Sequence, residues 1–280
     1  MNINRLGLNT VSIKFNSLEE MAAAAAGAGF RTIECPLDQI RRELKNGMTP
    51  AQARAIINGQ QLTVSGGFNQ NLIGLGTPGE IKKSQDDHIA NAELIAQLGG
   101  SMMVVGTDYR EWPKKEEIPN VIERMAEAAK GVADRIQQYN VTMAIEFNWG
   151  MVKTFLSVVE IAKLSGASNV GVLFDPAHFH CTPSKTEHIT AETVKWIKHV
   201  HVDNMPMSPA ETTDCNTARL LPGDPASAYD LVELFGRFEK LGYMGNYAIE
   251  MFNDELWAMP PAAACKKMFA AMQTVFSKLP

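Results

Sequence analysis

Short apolar, β-branched runs alternate with helix-period patterns along the whole chain. Leu6 to Phe15 reads as a strand. Ser17, with Glu20 three residues on, forms a capping box that opens an Ala-rich helix stopping near Gly27 to Gly29. Arg31 to Pro36 is the next strand, and Thr49-Pro50 supplies an N-cap with proline at the first helical position. The pattern continues with a strand at Leu62 to Gly66, a Gly-rich loop around Leu72 to Gly79 and a helix over Ile81 to Leu98. A strand at Ser101 to Gly106 and a long helix from Ile118 to Tyr139 follow. Then come the strand Thr142 to Asn148, the helix Phe155 to Leu164 and the strand Val170 to Asp175. A helix at Ala191 to Ile197 precedes the strand His199 to Asp203. After a long loop the chain closes with a helix from Ser227 to Leu241, a strand from Tyr247 to Phe252 and a helix to Ser277.

Repeated strand-helix units imply parallel strands with helical crossovers, and eight of them in 280 residues is the count of a closed barrel. The chain lacks a Walker A sequence, which weakens the rival doubly wound open sheet. With no linker or low-complexity stretch, the expectation is an α/β chain forming one (β/α)8 barrel domain over residues 1–280.

Composition narrows the class of partner. A net charge of −5, with Lys and Arg scattered, provides no basic stripe for displacing counterions from nucleic acid. The longest near-apolar run, Met21 to Phe30, is too short for a membrane span, and the first residues carry no secretory pattern. Cys35, Cys181, Cys215 and Cys265 form no CxxC pair and read as free thiols of a reducing cytoplasm. A small solute is the expected partner.

In barrel enzymes chemistry sits at the C-terminal strand ends. Four consecutive strands here end on groups of buried type: Ala144-Ile145-Glu146, Leu173-Phe174-Asp175, His199-Val200-His201 and Ala248-Ile249-Glu250. Alternation puts Ala144 with Glu146 and Ala248 with Glu250 on the inner face, each carboxylate above a small residue. Three carboxylates and an imidazole converging inside a barrel need a shared cation, so Glu146, Asp175, His201 and Glu250 are the candidate ligands of one divalent metal. His199 points the same way one layer deeper and reads as structural. His178, in Asp175-Pro176-Ala177-His178, either touches a ligand at the rim or merely packs. Arg219, in the loop after the seventh strand, either reaches an anionic or hydroxyl-rich substrate or is solvated. Trp149 either walls the pocket or is core. His180 and His188 read as solvated, and His88 as a surface residue of its helix.

The runs AIEFN, LFDPAHF, HVHVDN, LPGD and YAIEMF resemble the xylose isomerase-like barrels, in particular sugar epimerases and isomerases typified by tagatose 3-epimerase and hydroxypyruvate isomerase. The resemblance spans the chain, with its specific content between Glu146 and Glu250. It implies the same four metal ligands, holding Mn2+, Mg2+ or Co2+, with Zn2+ also compatible. It further implies that His178 contacts the substrate and that Glu146 and Glu250 exchange a proton through an enediolate. A carbohydrate-like small molecule is the implied substrate, and homo-oligomers are common in the family. Val152 stands where these epimerases carry a second Glu, Met207 where they carry an Arg, and Val202 where a Lys is common. Those departures point away from a plain ketohexose.

Three rival functions share the fold. A metal-dependent dehydratase or decarboxylase of the inosose or dehydroshikimate type would use the same ligands and lose water or carbon dioxide. An endonuclease IV-like enzyme would need histidines where the third and fourth strands end in Gly66-Gly67-Phe68-Asn69 and Gly106-Thr107-Asp108-Tyr109. A non-catalytic sugar-binding barrel would have no use for the costly quartet.

Overall fold

The computed structural model describes residues 2–108 and 120–279. Its strands are β1 (Leu6–Asn9), β2 (Thr32–Pro36), β3 (Thr63–Phe68), β4 (Met102–Val105), β5 (Thr142–Glu146), β6 (Val170–Phe174), β7 (Ile197–Val202) and β8 (Tyr247–Ile249). They close in sequence order into a parallel barrel, β8 pairing back onto β1. The outer layer comprises α1 (Leu18–Ala28), α2 (Leu37–Lys45), α3 (Pro50–Gly59), α4 (Pro78–Gln97), α5 (Val121–Ile136) and α6 (Phe155–Ser165). It continues with α7 (Pro176–His180), α8 (Ala191–Val194), α9 (Leu231–Lys240), α10 (Asp254–Ala258) and α11 (Pro261–Phe276). No helix of the described residues is long and apolar enough to cross a membrane.

Several helix starts follow directly from local chemistry. Thr49 and Thr77 each cap a helix reciprocally with Gln52 and Glu80, and both helices begin with proline. Ser17 accepts from the Glu20 N–H, but the Glu20 carboxylate turns back to the Asn16 N–H at 2.7 Å, so the expected box is only half closed. At the far end of α1, Gly29 holds a left-handed cap at φ +115°.

Other boundaries move. β1 stops at Asn9 because its side chain accepts from the Val11 N–H at 3.1 Å and bends the chain into a 3-10 turn. α2 is absent from the sequence reading, which passes from the strand ending at Pro36 to the helix at Thr49-Pro50; the helix starts at Leu37 and buries Leu37 and Ile40. α9 begins at Leu231, not Ser227, because Asp230 accepts from the Val232 and Glu233 N–H groups. α8 is a single turn, and β7 starts two residues early, at Ile197. The expected start of α5 at Ile118 lies outside the described residues.

Strand alternation sorts side chains into two cores. Ile145, Phe147, Val172, Phe174, Val200 and Ile249 face outward into the layer between barrel and helices. Inside, Val104, Ala144 and Leu173 pack with Phe68, Met102 and Trp149 as a separate apolar plug. Trp149 therefore belongs to the lining of the barrel. The outer layer beneath the fifth and sixth strand ends is aromatic: Phe174 meets Phe155, Phe147 and Phe238 edge-on at centroid distances of 5.6, 5.9 and 4.9 Å. Edge-to-face pairs add about 0.5–1.5 kcal/mol each beyond burial. Because Phe147 follows Glu146 and Phe174 precedes Asp175, this cluster fixes the backbone that aims both carboxylates.

His88 corrects a sequence expectation: it is fully buried, with Nδ1 2.6 Å from the Ser84 carbonyl and Nε2 3.4 Å from the Gln70 carbonyl. It lies on the inward face of α4 with Asn91, Ala92 and Ile95. Polarity alone suggested a surface residue, but the backbone carbonyls of its own helix and the neighbouring loop satisfy the imidazole.

Two measurements check this packing. Phe174→Ala is expected to lower unfolding free energy by about 3–5 kcal/mol in urea titration, as for other buried aromatic truncations. Burial lowers the pKa of His88 below its ordinary value. A depressed folded-state pKa means its contribution is complete above about pH 6.5 and is lost as pH falls through the folded value, at most about 1.4 kcal/mol per pH unit. His88→Gln is expected to flatten that part of the acid limb of stability against pH.

Candidate metal centre

Each group of the quartet sits within one residue of the end of its strand. Glu146 is the last residue of β5, Asp175 follows β6, His201 is next to last in β7, and Glu250 follows β8. Chosen ligand atoms of these four residues lie within 4.8 Å of one another, and all four residues are buried. His201 Nδ1 lies 3.4 Å from Glu146 Oε1, 3.5 Å from Asp175 Oδ2 and 3.2 Å from Glu250 Oε2.

The fit to a cation can be judged from the chain itself. Glu146 Oε1, Asp175 Oδ2 and His201 Nδ1 are buried and have no hydrogen-bond partner, although buried polar atoms are nearly always satisfied. Those orphaned atoms point at one another. The other ends of two of these side chains are occupied: Asp175 Oδ1 accepts from the His178 N–H at 2.9 Å, and His201 Nε2 lies 3.3 Å from Glu34 Oε2. Three carboxylate oxygens and one imidazole nitrogen form a donor set suited to a divalent ion of intermediate hardness. The residues fit a metal.

Around the quartet stand groups that the sequence reading passed over. Glu34, on β2, is 1% exposed, and its carboxylate meets His199 Nε2 at 2.6 Å. Burial alone would raise the Glu34 carboxyl, but His201 and His199 hold it below the usual carboxylate range. Asn9 bridges Glu34 and Glu250, donating to them at 3.2 and 2.8 Å. Glu34, His199 and His201 also form a second close acidic-imidazole group. The short contact gives the deeper imidazole of His199 a fixed carboxylate partner. One sequence signal for Glu34 existed: a lone charge inside the apolar run Thr32-Ile33-Glu34-Cys35.

Arg219 is 2% exposed, which removes the solvated alternative. Nη1 pairs with Asp203 at 2.7 Å and Glu250 at 2.8 Å; Nε donates to the Cys215 carbonyl at 3.0 Å; the guanidinium lies over Phe252. Nη2 approaches Asp175 Oδ2 at 3.2 Å without hydrogen-bond alignment, so both atoms remain unpartnered in that sense. Asp203 Oδ1 accepts the Ala177 N–H at 3.0 Å. Burial and the neighbouring Asp175 push the Asp203 carboxyl well above its ordinary range.

His178 is buried beside the quartet, Nε2 3.5 Å from Glu146 Oε1 and Nδ1 3.1 Å from Asn148 Nδ2. Against burial, Asp175 and Glu146 push its pKa up to about 9. Burial raises the Glu146 carboxyl, whereas His201 and Arg219 overcome burial and lower that of Glu250. His180 and His188 are half-buried, not freely solvated; His180 Nε2 bonds the Ser208 carbonyl at 3.0 Å.

A closed parallel barrel with a convergent acidic-imidazole cluster at its C-terminal mouth defines the class. The chain belongs to the xylose isomerase-like TIM barrel family, whose model matches residues 22–274. Among curated relatives, an inosose isomerase of Bacillus velezensis is 29% identical over 59% of this chain and 58% of its own. One of Halalkalibacterium halodurans is 27% identical over 59% of this chain and 56% of its own. The match thus spans little more than half the length of these relatives. Among solved structures, IOLI protein with a binding zinc atom superposes with TM-score 0.86 at 20% identity, covering 98% of this chain and 99% of that one. D-psicose 3-epimerase from Clostridium cellulolyticum H10, solved with D-tagatose, gives 0.73 at 16%, covering 98% and 99%. At such identities these structures speak for the fold.

Glu34→Gln tests the outer support. Loss of a carboxylate that orients a ligating histidine typically costs about 10–100-fold in metal affinity. That loss is expected in chelator-competition titrations with Mn2+, with the far-ultraviolet circular dichroism unchanged.

Proposed function

We propose that this chain is a divalent-metal-dependent isomerase or epimerase that moves a proton alpha to a carbonyl on a small carbohydrate-like substrate. The observation that carries this reading is the convergence of orphaned, buried ligand atoms from Glu146, Asp175 and His201, with Glu250 completing the set. Mn2+, Mg2+, Co2+ or Zn2+ bound there would supply Lewis-acid stabilisation of a developing oxyanion. The identity of the relatives, inosose isomerases, favours a polyhydroxylated cyclic ketone as the substrate class.

Glu146 and Glu250 are the proton-transfer pair. They enter the mouth from β5 and β8, and carboxylates reaching a substrate from different strands can remove and return its proton. Glu250 is held ready as the base by Asn9 and Arg219. Glu146 is the partner that returns the proton, and the enediolate forms between them. His178, beside Glu146, is the group that hydrogen-bonds a substrate oxygen. Arg219 acts on the substrate from within the ion-pair network, by fixing the Glu250 carboxylate.

Substrate hydroxyls are read differently from those of the ketohexose epimerases. Val152, where they carry a Glu, is buried among apolar neighbours at 4% exposure, and Met207, where they carry an Arg, is 81% exposed. Neither position offers a hydroxyl partner, which favours a substrate other than an open ketohexose.

The decisive experiment is proton exchange into inososes and ketoses in D2O, followed by NMR, with metal-loaded, chelated and Mn2+-reconstituted protein. Turnover is expected only with metal. Glu250→Gln should retain the fold and lose about 10²–10⁴-fold in rate, the range for removing a general base. Retained exchange in that variant would sink the assignment. Loss of water or carbon dioxide in place of exchange would shift the reading to a dehydratase or decarboxylase.

A further inference from the structure

Beside the quartet the loops after β5, β6 and β7 meet at sulfur. Cys181 closes α7, and its thiol donates to the Thr213 carbonyl at 3.4 Å. Cys215, two residues on from Thr213, accepts from Asn148 Nδ2 at 3.6 Å. The same Asn148 Nδ2 lies 3.1 Å from His178 Nδ1, and the two thiols influence each other electrostatically. The segment carrying Cys215 is pinned to α7 by His180 on the Ser208 carbonyl and by the Ser208–Thr213 hydroxyl pair at 2.7 Å. Both thiols are half-buried, whereas Cys35 and Cys265 are 1% and 0% exposed.

We propose that Cys181 and Cys215 are a peroxide-reactive dithiol, a redox modification site that closes into a disulfide across the loops after β6 and β7. Thiolate is the reactive species, and it persists where hydrogen bonds and cationic neighbours stabilise it. Contact with Cys181 and the His178 imidazole lower the Cys215 thiol despite burial, and Asn148 Nδ2 donates to its sulfur, whereas the Cys181 S–H is held on the Thr213 carbonyl and that thiol is pushed up. Burial pushes Cys35 and Cys265 up to about 12. The pair thus divides into an attacking sulfur and a resolving one.

The steps balance. The Cys215 sulfur attacks one oxygen of hydrogen peroxide, forming S–O and breaking O–O; the departing hydroxide takes the Cys215 proton and leaves as water. The Cys181 sulfur then attacks the resulting sulfenic sulfur, forming S–S and breaking S–O, and the oxygen leaves with the Cys181 proton as the second water. Two thiols lose two electrons, and the two peroxide oxygens gain them.

Closure would not stay local. Arg219 Nε holds the Cys215 carbonyl, and the same guanidinium holds Glu250 Oε2. Drawing the Cys215 sulfur onto Cys181 removes it from Asn148 and His178 and pulls on the backbone that anchors Arg219. This consequence rests on the reading of the quartet as a metal centre; the dithiol itself does not.

The test is graded hydrogen peroxide on the full-length protein, alkylation of remaining thiols, and peptide mass mapping. The expected result is loss of two of the four titratable thiols, recovery of a Cys181–Cys215 cross-linked peptide, and full reversal by dithiothreitol. Cys181→Ser should halt at a sulfenic acid trapped by dimedone on Cys215, and Cys215→Ser should protect Cys181. Oxidation falling first on Cys35 or Cys265, or four thiols surviving peroxide that oxidises free glutathione, would overturn the proposal without any mutant. Mn2+ affinity, read by titration before and after oxidation, is expected to fall about tenfold or more, as for disturbance of outer support. Manganese is chosen because it has little appetite for thiols. A cross-link that leaves Mn2+ affinity unchanged would overturn the coupling; a reduced protein that never binds Mn2+ would count against the metal reading alone.

Discussion

Taking a carboxylate out of water costs several kcal/mol unless a partner replaces the lost solvation. This barrel does so five times in one mouth, with Glu34, Glu146, Asp175, Asp203 and Glu250 all buried. Against them stand one guanidinium and three imidazoles. Arg219 is shared among Asp203, Glu250 and Asp175, so its single charge cannot settle all three. The residual demand shows in two places. Asp203 is pushed toward its neutral form, and ligand atoms of Glu146, Asp175 and His201 are left without partners. A divalent cation answers the second need directly.

That demand explains why the interior is split. The inner faces of β4, β5 and β6 carry the apolar plug of Val104, Ala144 and Leu173. The inner faces of β7, β8, β1 and β2 carry the hydrogen-bonded set of His199, His201, Asn9 and Glu34, with Glu250 just past β8. Ions pressed against the plug from one side have fixed partners on the other, which limits how they can relax. The loop after β5 is shaped by the same crowding: Asn148 takes φ 65° and Gly150 φ +115°, and a Cβ at Gly150 would overlap the Thr107 carbonyl. That turn presents the Asn148 amide to His178 and Cys215.

The barrel was legible because strand alternation is a one-dimensional signal. Ala144/Glu146 against Ile145/Phe147 can be read without knowing any neighbour, and the structure sorts those residues as the alternation does. What stayed hidden depends on contacts distant in sequence. Glu34 gains its meaning from His199 and His201, about 165 residues away, and Asn9 from Glu250 at a separation of 241. His88 failed in the opposite sense: its partners are backbone carbonyls, which leave no mark in a sequence. Helix α2 leaves a weak mark in the sequence because it is short and buries only Leu37 and Ile40.

Arg219 shows how one residue can lie between two readings. As a free cation it would recruit an anionic or hydroxyl-rich substrate; buried among three carboxylates and stacked on Phe252, it has no spare charge to offer outward. Its value is geometric. A planar fork holding Asp203 and Glu250 while receiving its own support from the Cys215 carbonyl restricts where the Glu250 oxygens can go. A lysine could match the charge but not the simultaneous contacts. Control of the Glu250 position therefore extends outward through Arg219 to the loop after β7, which links the deepest charges of the barrel to its half-buried thiols.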